Sequence, residues 1–317
     1  MNILMIAVND PAGTAIGFAD AINRRTEHFC RVATLETRYN HNWRKDLHIP
    51  ELDRTGLIEL EETLLSADVF HFHMTADENL RLGPFLPKDF MNGKALVHHH
   101  HGHPDFRDNP GKYSQKYDML NRRNLLVSTP DLQHILPEAR WQPNCVNEQD
   151  PAYQPLADKP QTPIRIAHSP TRRDLKNTDD LLGVMQTLLA EGHSLELDLI
   201  DDAPHCDCLE RKRRAHISFD HMQGYYGMSS LESLAQGVPT VAGLSDWCIG
   251  QMQEFTGTAD LPWLVARNAK ALKDILTHLS CDTDERHKAG AHSRAFMERY
   301  WNEERVIGRL MEFYETL

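Results

Sequence analysis

The sequence predicts an α/β protein built of two doubly wound domains, and three observations carry that prediction. Apolar runs of strand length alternate with stretches of helical length, each run ends in polar residues, and a proline-rich interval divides the chain into two such series. The 317 residues suffice for two cores of about 150 residues each.

In chain order, Ile3 to Val8 is an unbroken apolar strand run. A polar turn, Asn9-Asp10-Pro11-Ala12-Gly13-Thr14, leads into a helix from Ala15 to Asn23, and Cys30 to Leu35 is the next strand. Ala67 to His73 and Lys94 to His99 are short apolar runs that end in histidine. Leu125 to Thr129 is another, with Pro130-Asp131 at a helix start. Such strands, spaced by helical lengths, form a parallel sheet with function at the strand C-termini. Prolines 143, 151, 155, 160 and 163 exclude regular structure between the two series and mark a linker. The second series holds strands at Ile164 to His168, Leu195 to Ile200 and Ala215 to Phe219, with a helix from Asp179 to Leu189. Gly237 to Ala242 then turns out of a helix into a further strand. The domains expected are 1–149 and 150–301.

Composition narrows the function. Hydrophobic residues make up 40% and charged residues 25%, ordinary for a globular protein. No apolar run reaches the roughly 18 residues of a membrane span, and the N-terminus lacks the basic lead of a signal peptide. Six scattered cysteines suit a reducing compartment, so a cytoplasmic location is expected. A net charge of −12 argues against a nucleic-acid partner, because phosphate backbones attract basic surfaces. The one basic run, Arg211-Lys212-Arg213-Arg214, reads as a solvated helix face.

The second series carries the strongest chemical signal. In His168-Ser169-Pro170-Thr171-Arg172-Arg173-Asp174-Leu175-Lys176-Asn177-Thr178, a strand end turns into a helix start. Arg173 and Lys176 lie three apart, a spacing that lets both reach one anion through charge-assisted hydrogen bonds. In Gly224-Tyr225-Tyr226-Gly227-Met228-Ser229, two glycines precede a helix whose first amides and dipole face an incoming phosphate. Glu232 follows in the first turn, placed to accept from ribose hydroxyls or to complement the dipole.

Together these stretches resemble the donor-binding half of GT-B-fold glycosyltransferases, and within them the retaining family GT4. His168-x-Pro170-x-x-Arg173-x-x-Lys176-x-Thr178 looks like the family's diphosphate clamp, and Gly227-x-x-x-x-Glu232 with Gly237-x-Pro239 is similar to the latter half of its Glu-x7-Glu motif. Trp141-x-Pro143-Asn144 resembles the segment that closes the first domain, and Tyr300-Trp301 with Leu310-x-x-Phe313-Tyr314 resembles a C-terminal helix, about 302–317, that returns to it. The chain departs from the pattern at Gly224, where the family has its first glutamate; Asp220 is the residue placed to take over a sugar contact.

The resemblance implies two Rossmann-like domains facing a central cleft. It implies transfer of a sugar from a nucleotide-sugar donor to a sugar, glycan or lipid-linked acceptor, with retained configuration. Arg173 and Lys176 would act electrostatically on the leaving diphosphate, with no metal or other cofactor. Donor contacts would come from Gly13, Gly224, Tyr226, Gly227, Met228, Ser229 and Glu232. The alternatives are a GT-B-type epimerase or phosphorylase, and a nucleotide-sugar-binding protein without transferase activity, which the missing glutamate motivates.

Histidines crowd the first series: His71, His73, His98 to His101 and His103, among 19 in the chain. His101-Gly102-x-x-Asp105-x-Arg107 looks like the family's His-Gly loop, which makes His101 a catalytic candidate and His73 and Arg107 candidate sugar or acceptor contacts. Successive strand residues point to opposite faces, so four adjacent histidines cannot all face one ion, although His99 and His101 can share a face with His71 or His73. No metal site is expected. His205-Cys206-Asp207-Cys208 reads as a polar loop before a helix. The candidate acceptor loops, Tyr39 to Pro50 and Gly102 to Gly111, carry no decodable pattern.

Overall fold

Two wholly parallel sheets organise the chain, whose computed structural model describes residues 1–38 and 43–317. Tyr39 to Asn42 of the first candidate acceptor loop lie outside the described residues. The chain divides into one unit of Met1–Cys145 with Glu303–Leu317 and a second of Val146–Asn302. Among the described residues no helix is long and apolar enough to cross a membrane.

The first unit contains β1 (Asn2–Asn9), α1 (Thr14–Arg25), β2 (Phe29–Glu36), β3 (Leu47–His48), α2 (Arg54–Ser66), β4 (Val69–His73), β5 (Ala95–His100), α3 (Pro104–Asp108), α4 (Pro110–Met119), β6 (Leu125–Val127) and β7 (Arg140–Trp141). Its sheet order is β3-β2-β1-β4-β5-β6-β7, so the direction of winding reverses between β1 and β4. Ile3 to Ala7 are almost wholly buried because a central parallel strand is covered on both faces. Leu4, Ile6, Phe70 and Phe72 pack with Leu60 and Leu64 of α2, each burial stabilising by about 1.5–3 kcal/mol. The opposite face of β1, carrying Met5 and Ala7, continues into His71 and His73 through the β1–β4 register.

The second unit contains β8 (Ile164–His168), α5 (Thr178–Ala190), β9 (Leu195–Leu199), α6 (His205–Arg214), β10 (Ile217–Phe219), α7 (Met228–Ala235), β11 (Thr240–Ala242), α8 (Asp246–Thr256), β12 (Leu264–Val265), α9 (Ala269–Cys281) and α10 (Thr283–Tyr300). Sheet order β12-β11-β10-β8-β9 places its reversal between β8 and β10. Ile164, Ile166, Ile217, Phe219 and Val241 pack against Leu181 and Leu188 of α5 and Leu272 and Leu276 of α9. Gly237 ends α7 at φ +66°, and a Cβ on Gly290 would stand 2.6 Å from the Gly237 carbonyl oxygen, so α10 approaches that turn only through glycine.

After the second unit, α11 (Glu303–Tyr314) belongs to the first. Gln142 donates to the Val306 carbonyl at 3.1 Å and Arg309 to the Trp141 carbonyl at 3.1 Å. Buried Glu303 accepts from Arg24 and Arg25 of α1.

Two local expectations fail. His205-Cys206-Asp207-Cys208 lies in the first turns of α6 rather than in a loop, since Pro204 supplies the helix's N-cap position. The run Arg211 to Arg214 is not a uniformly solvated face: Lys212 is 1% exposed. Lys212 follows Cys208 by four residues and buried Leu209 by three, which puts it on the inward stripe of α6.

Candidate functional site

In an open parallel sheet, ligands bind beyond the strand C-termini where the strand order reverses. In the second unit that place lies beyond His168 and Phe219, and the chain puts Lys176, Asp220 and the start of α7 there. Asp220 is 3% exposed. Its Oδ2 accepts from the Gly227 amide at 2.6 Å and the Ser230 hydroxyl at 2.7 Å, while its Oδ1 stands 3.4 Å from Lys176 Nζ. Burial alone would push this carboxyl up; neighbouring His221 and Lys176, with the hydrogen bonds from Gly227 and Ser230, overcome it and hold the group below the ordinary carboxylate range. A Cβ on Gly227 would lie 3.3 Å from both the Asp220 carboxylate and Lys176 Nζ, so the tight approach favours glycine. The Lys176 ammonium also sits 5.9 Å over the Tyr225 ring.

Around this centre, Ser169 and Ser229 hydroxyls meet at 2.8 Å, tying the end of β8 to the first turn of α7. With Gly227 at the N-cap position, Met228 and Ser229 begin a helix whose first amides have no intrahelical acceptor. Gly224 stands at φ +89°, its amide bonded to the Gly243 carbonyl at 2.8 Å, and there glycine is required by the backbone rather than by crowding. His168 is buried and neutral: its Nδ1 donates to the Phe219 carbonyl at 3.0 Å and its Nε2 accepts from Thr178 at 2.8 Å. Burial pushes its pKa down to about 4, so it locks β8, β10 and α5 together.

Other sequence candidates sit differently. Arg173 is half exposed and pairs with Asp201, accepted at 2.8 Å from its Nε. Asp201 follows β9 and Asp220 follows β10, on opposite sides of β8, so the two clamp cations lean apart. Glu232 is buried, with one oxygen 2.7 Å from His205 and the other 2.5 Å from Lys212. Burial would push its carboxyl up, but Lys212 and His205 bring it down to about 2. Tyr226 is fully buried against Trp263 and Trp301, with ring centroids 5.5 and 5.6 Å away. Its side chain belongs to the core of the second unit. Lys212 and His205 as partners of Glu232 were not read from the sequence; helix phase from Leu209 was the available signal.

At the reversal of the first sheet, Gly13 stands at φ +63° with the Trp43 ring on it; a Cβ would fall 1.2 Å from a ring carbon. The Trp43 ring thus occupies the place that a side chain at position 13 would take. The β4–β5 register pairs His73 with His99 and His71 with Val97, so His71, His73, His99 and His101 share one face. His73 Nδ1 lies 2.9 Å from His101 Nε2, and His71 Nε2 lies 3.2 Å from His99 Nδ1. Tyr314 of α11 reaches His71 Nδ1 at 2.5 Å. Burial depresses the pKa of all four rings, His101 to about 3. Arg107 donates to Asp131 at 2.7 Å and to the Gly102 carbonyl at 3.3 Å, bracing the turn after His101.

No protein-family model matches this sequence, and no curated protein does either. Solved structures match in shape over the whole chain. Anabaena HepE in complex with UDP superposes at a TM-score of 0.65 with 12% identity, covering 100% of both chains. A glycosyltransferase from Rickettsia africae ESF-5 gives 0.61 at 14% identity, covering 99% of this chain and 98% of that one. Sucrose-phosphate synthase from Thermosynechococcus elongatus gives 0.60 at 13%, with the same coverage. The fold is GT-B. In this GT-B chain, both reversal points carry residues singled out from the sequence.

Proposed function

We propose that this GT-B chain is a retaining, GT4-like glycosyltransferase that takes its sugar from a nucleotide diphosphate, and that it works in the cytoplasm without a metal at the donor. The observation that carries the reading is Lys176, held by buried Asp220 beside the N-terminal turn of α7 at the β8/β10 reversal. In the reaction, the bond between the anomeric carbon and the diphosphate oxygen breaks, and the leaving group gains negative charge. Lys176 and the first amides of α7 meet that charge, a preorganised electrostatic contribution. An acceptor hydroxyl of a sugar, glycan or lipid-linked chain attacks from the same face and passes its proton to the departing phosphate oxygen, so no protein nucleophile is required.

On this reading Asp220 is a positioning residue, because both its oxygens are engaged with protein groups. Arg173 joins Lys176 on the diphosphate by exchanging its exposed Asp201 pair for phosphate. Glu232 reaches a ribose only as its His205 contact opens. HepE in complex with UDP-glucose, at a TM-score of 0.63, makes UDP-glucose the first donor to try. The test is acceptor-dependent release of nucleoside diphosphate from UDP- and GDP-sugars, with the product anomer read by NMR. Release that needs acceptor, retains configuration and falls about 100-fold or more in Lys176→Ala supports the proposal. Binding without release under any acceptor identifies a sugar-nucleotide-binding protein, and turnover without acceptor identifies an epimerase.

A further inference from the structure

The imidazole stack of the first unit is not used by the clamp described above. His71, His73 and His99 each offer one ring nitrogen, and these three lie within 4.8 Å of one another. His101 lies parallel to His73, with centroids 5.1 Å apart, and its ring centroid is 4.2 Å from that of His99. All four project from the same face of two adjacent parallel strands or the turn directly after them. We propose that His71, His73, His99 and His101 form a binding site for one borderline transition-metal ion of the Zn²⁺, Co²⁺ or Cu²⁺ class.

Hydrogen bonding among the four rings alone does not satisfy them. In the His73–His101 pair, whichever ring donates, one buried lone pair and one buried N–H remain, at His73 Nε2 and His101 Nδ1, and neither atom has a partner. In the chain Tyr314–His71–His99, the last atom, His99 Nε2, is likewise buried without a partner in either tautomer. Each such orphan costs about 1–3 kcal/mol. A metal ion takes one lone pair from each ring in place of these imidazole–imidazole contacts, and the other nitrogen of each ring then carries its N–H.

The geometry is close to a ligand set. Ligands about 2.0–2.1 Å from a tetrahedral ion stand about 3.3 Å from one another, and the two imidazole contacts are 3.2 and 2.9 Å. The three ligand atoms of His71, His73 and His99 lie within 4.8 Å of one another, so binding has to draw the widest pair closer. Nitrogen donors without a thiolate or carboxylate select borderline metals over Mg²⁺ or Ca²⁺. Tyr314 holds His71 through Nδ1 and thereby fixes Nε2 as its ligating atom, as outer partners do at histidine sites. Bound there, the ion pins the turn His101-Gly102, whose glycine stands at φ +74° against Arg107. This inference does not depend on the glycosyl-transfer reading.

The test is titration of the chelator-stripped full chain with Co²⁺, following its visible d–d absorption, and with Zn²⁺ by competition. The expected result is one equivalent bound with a four-coordinate spectrum. His71→Gln and His99→Gln abolish it, exposed His287→Gln leaves it intact, and Tyr314→Phe weakens it about 10–100-fold. Thermal melts of the metal-free variants establish that each is folded. If His71→Gln fails to fold, Tyr314→Phe and His101→Gln carry the test. Absence of binding by the intact protein, or binding unchanged in the folded variants, overturns the proposal.

Discussion

At the strand reversal of the five-stranded sheet the polar groups are charged and answered: Lys176 by Asp220, and nearby Glu232 by Lys212 and His205. At the reversal of the seven-stranded sheet four imidazoles stack, and among the described residues no carboxylate pairs with any of them. One region pairs its buried charges with one another, and the other holds buried imidazoles against each other. The same topology thus positions two chemistries, and what distinguishes them is whether buried charge has a partner from another element.

The sharpest break of that comparison is Glu232→Ala. It leaves Lys212 buried and unpaired, and the second unit should lose about 3–5 kcal/mol, read as a lowered urea midpoint. The double variant Lys212→Met with Glu232→Leu should recover most of the loss. An unchanged midpoint in Glu232→Ala would show the pair to be open to water. Acid is the next largest effect. His168 titrates near 4 when folded and near 6.5 when unfolded, so the unfolded chain binds more protons between those values. The contribution of His168 is therefore full at pH 7, and it falls by about 1.4 kcal/mol per unit as pH drops from 6.5 towards 4, alongside that of the other buried histidines. His168→Gln should flatten part of that slope, measured by denaturation at stepped pH.

Much of this was legible because it rests on local period. Alternation along the strands allows His99 and His101 to share a face with His71 or His73, and the β4–β5 register brings His73 beside His99. The glycines before α7 announced a helix start, and Gly237 its end. What stayed hidden depends on residues distant in sequence. Nothing near Glu232 names Lys212, twenty residues earlier in a run that looks solvated as a whole, and only the helical phase from Cys208 and Leu209 turns it inward. Tyr226 is similar: between two glycines it reads as a loop residue, while Trp263 and Trp301 bury it. Arg173 and Lys176 share a turn by spacing, yet Asp201 and Asp220 draw them apart.

A smaller effect separates the two cations. Arg173→Ala removes an exposed pair and should change stability by less than about 1 kcal/mol, with thermal melting as the check. Any larger change would mean that the Asp201 pair supports the fold.

The most direct measurement is calorimetric titration with a panel of nucleoside diphosphates, UDP first, on the intact chain and on Lys176→Ala. The account predicts that one nucleotide binds and that Lys176→Ala weakens it about 10–100-fold, the loss of one charge-assisted contact of roughly 1.5–3 kcal/mol, with thermal melts establishing that the variant is folded under the titration conditions. No binding by the intact chain, or equal binding by Lys176→Ala, would contradict a diphosphate clamp at the start of α7.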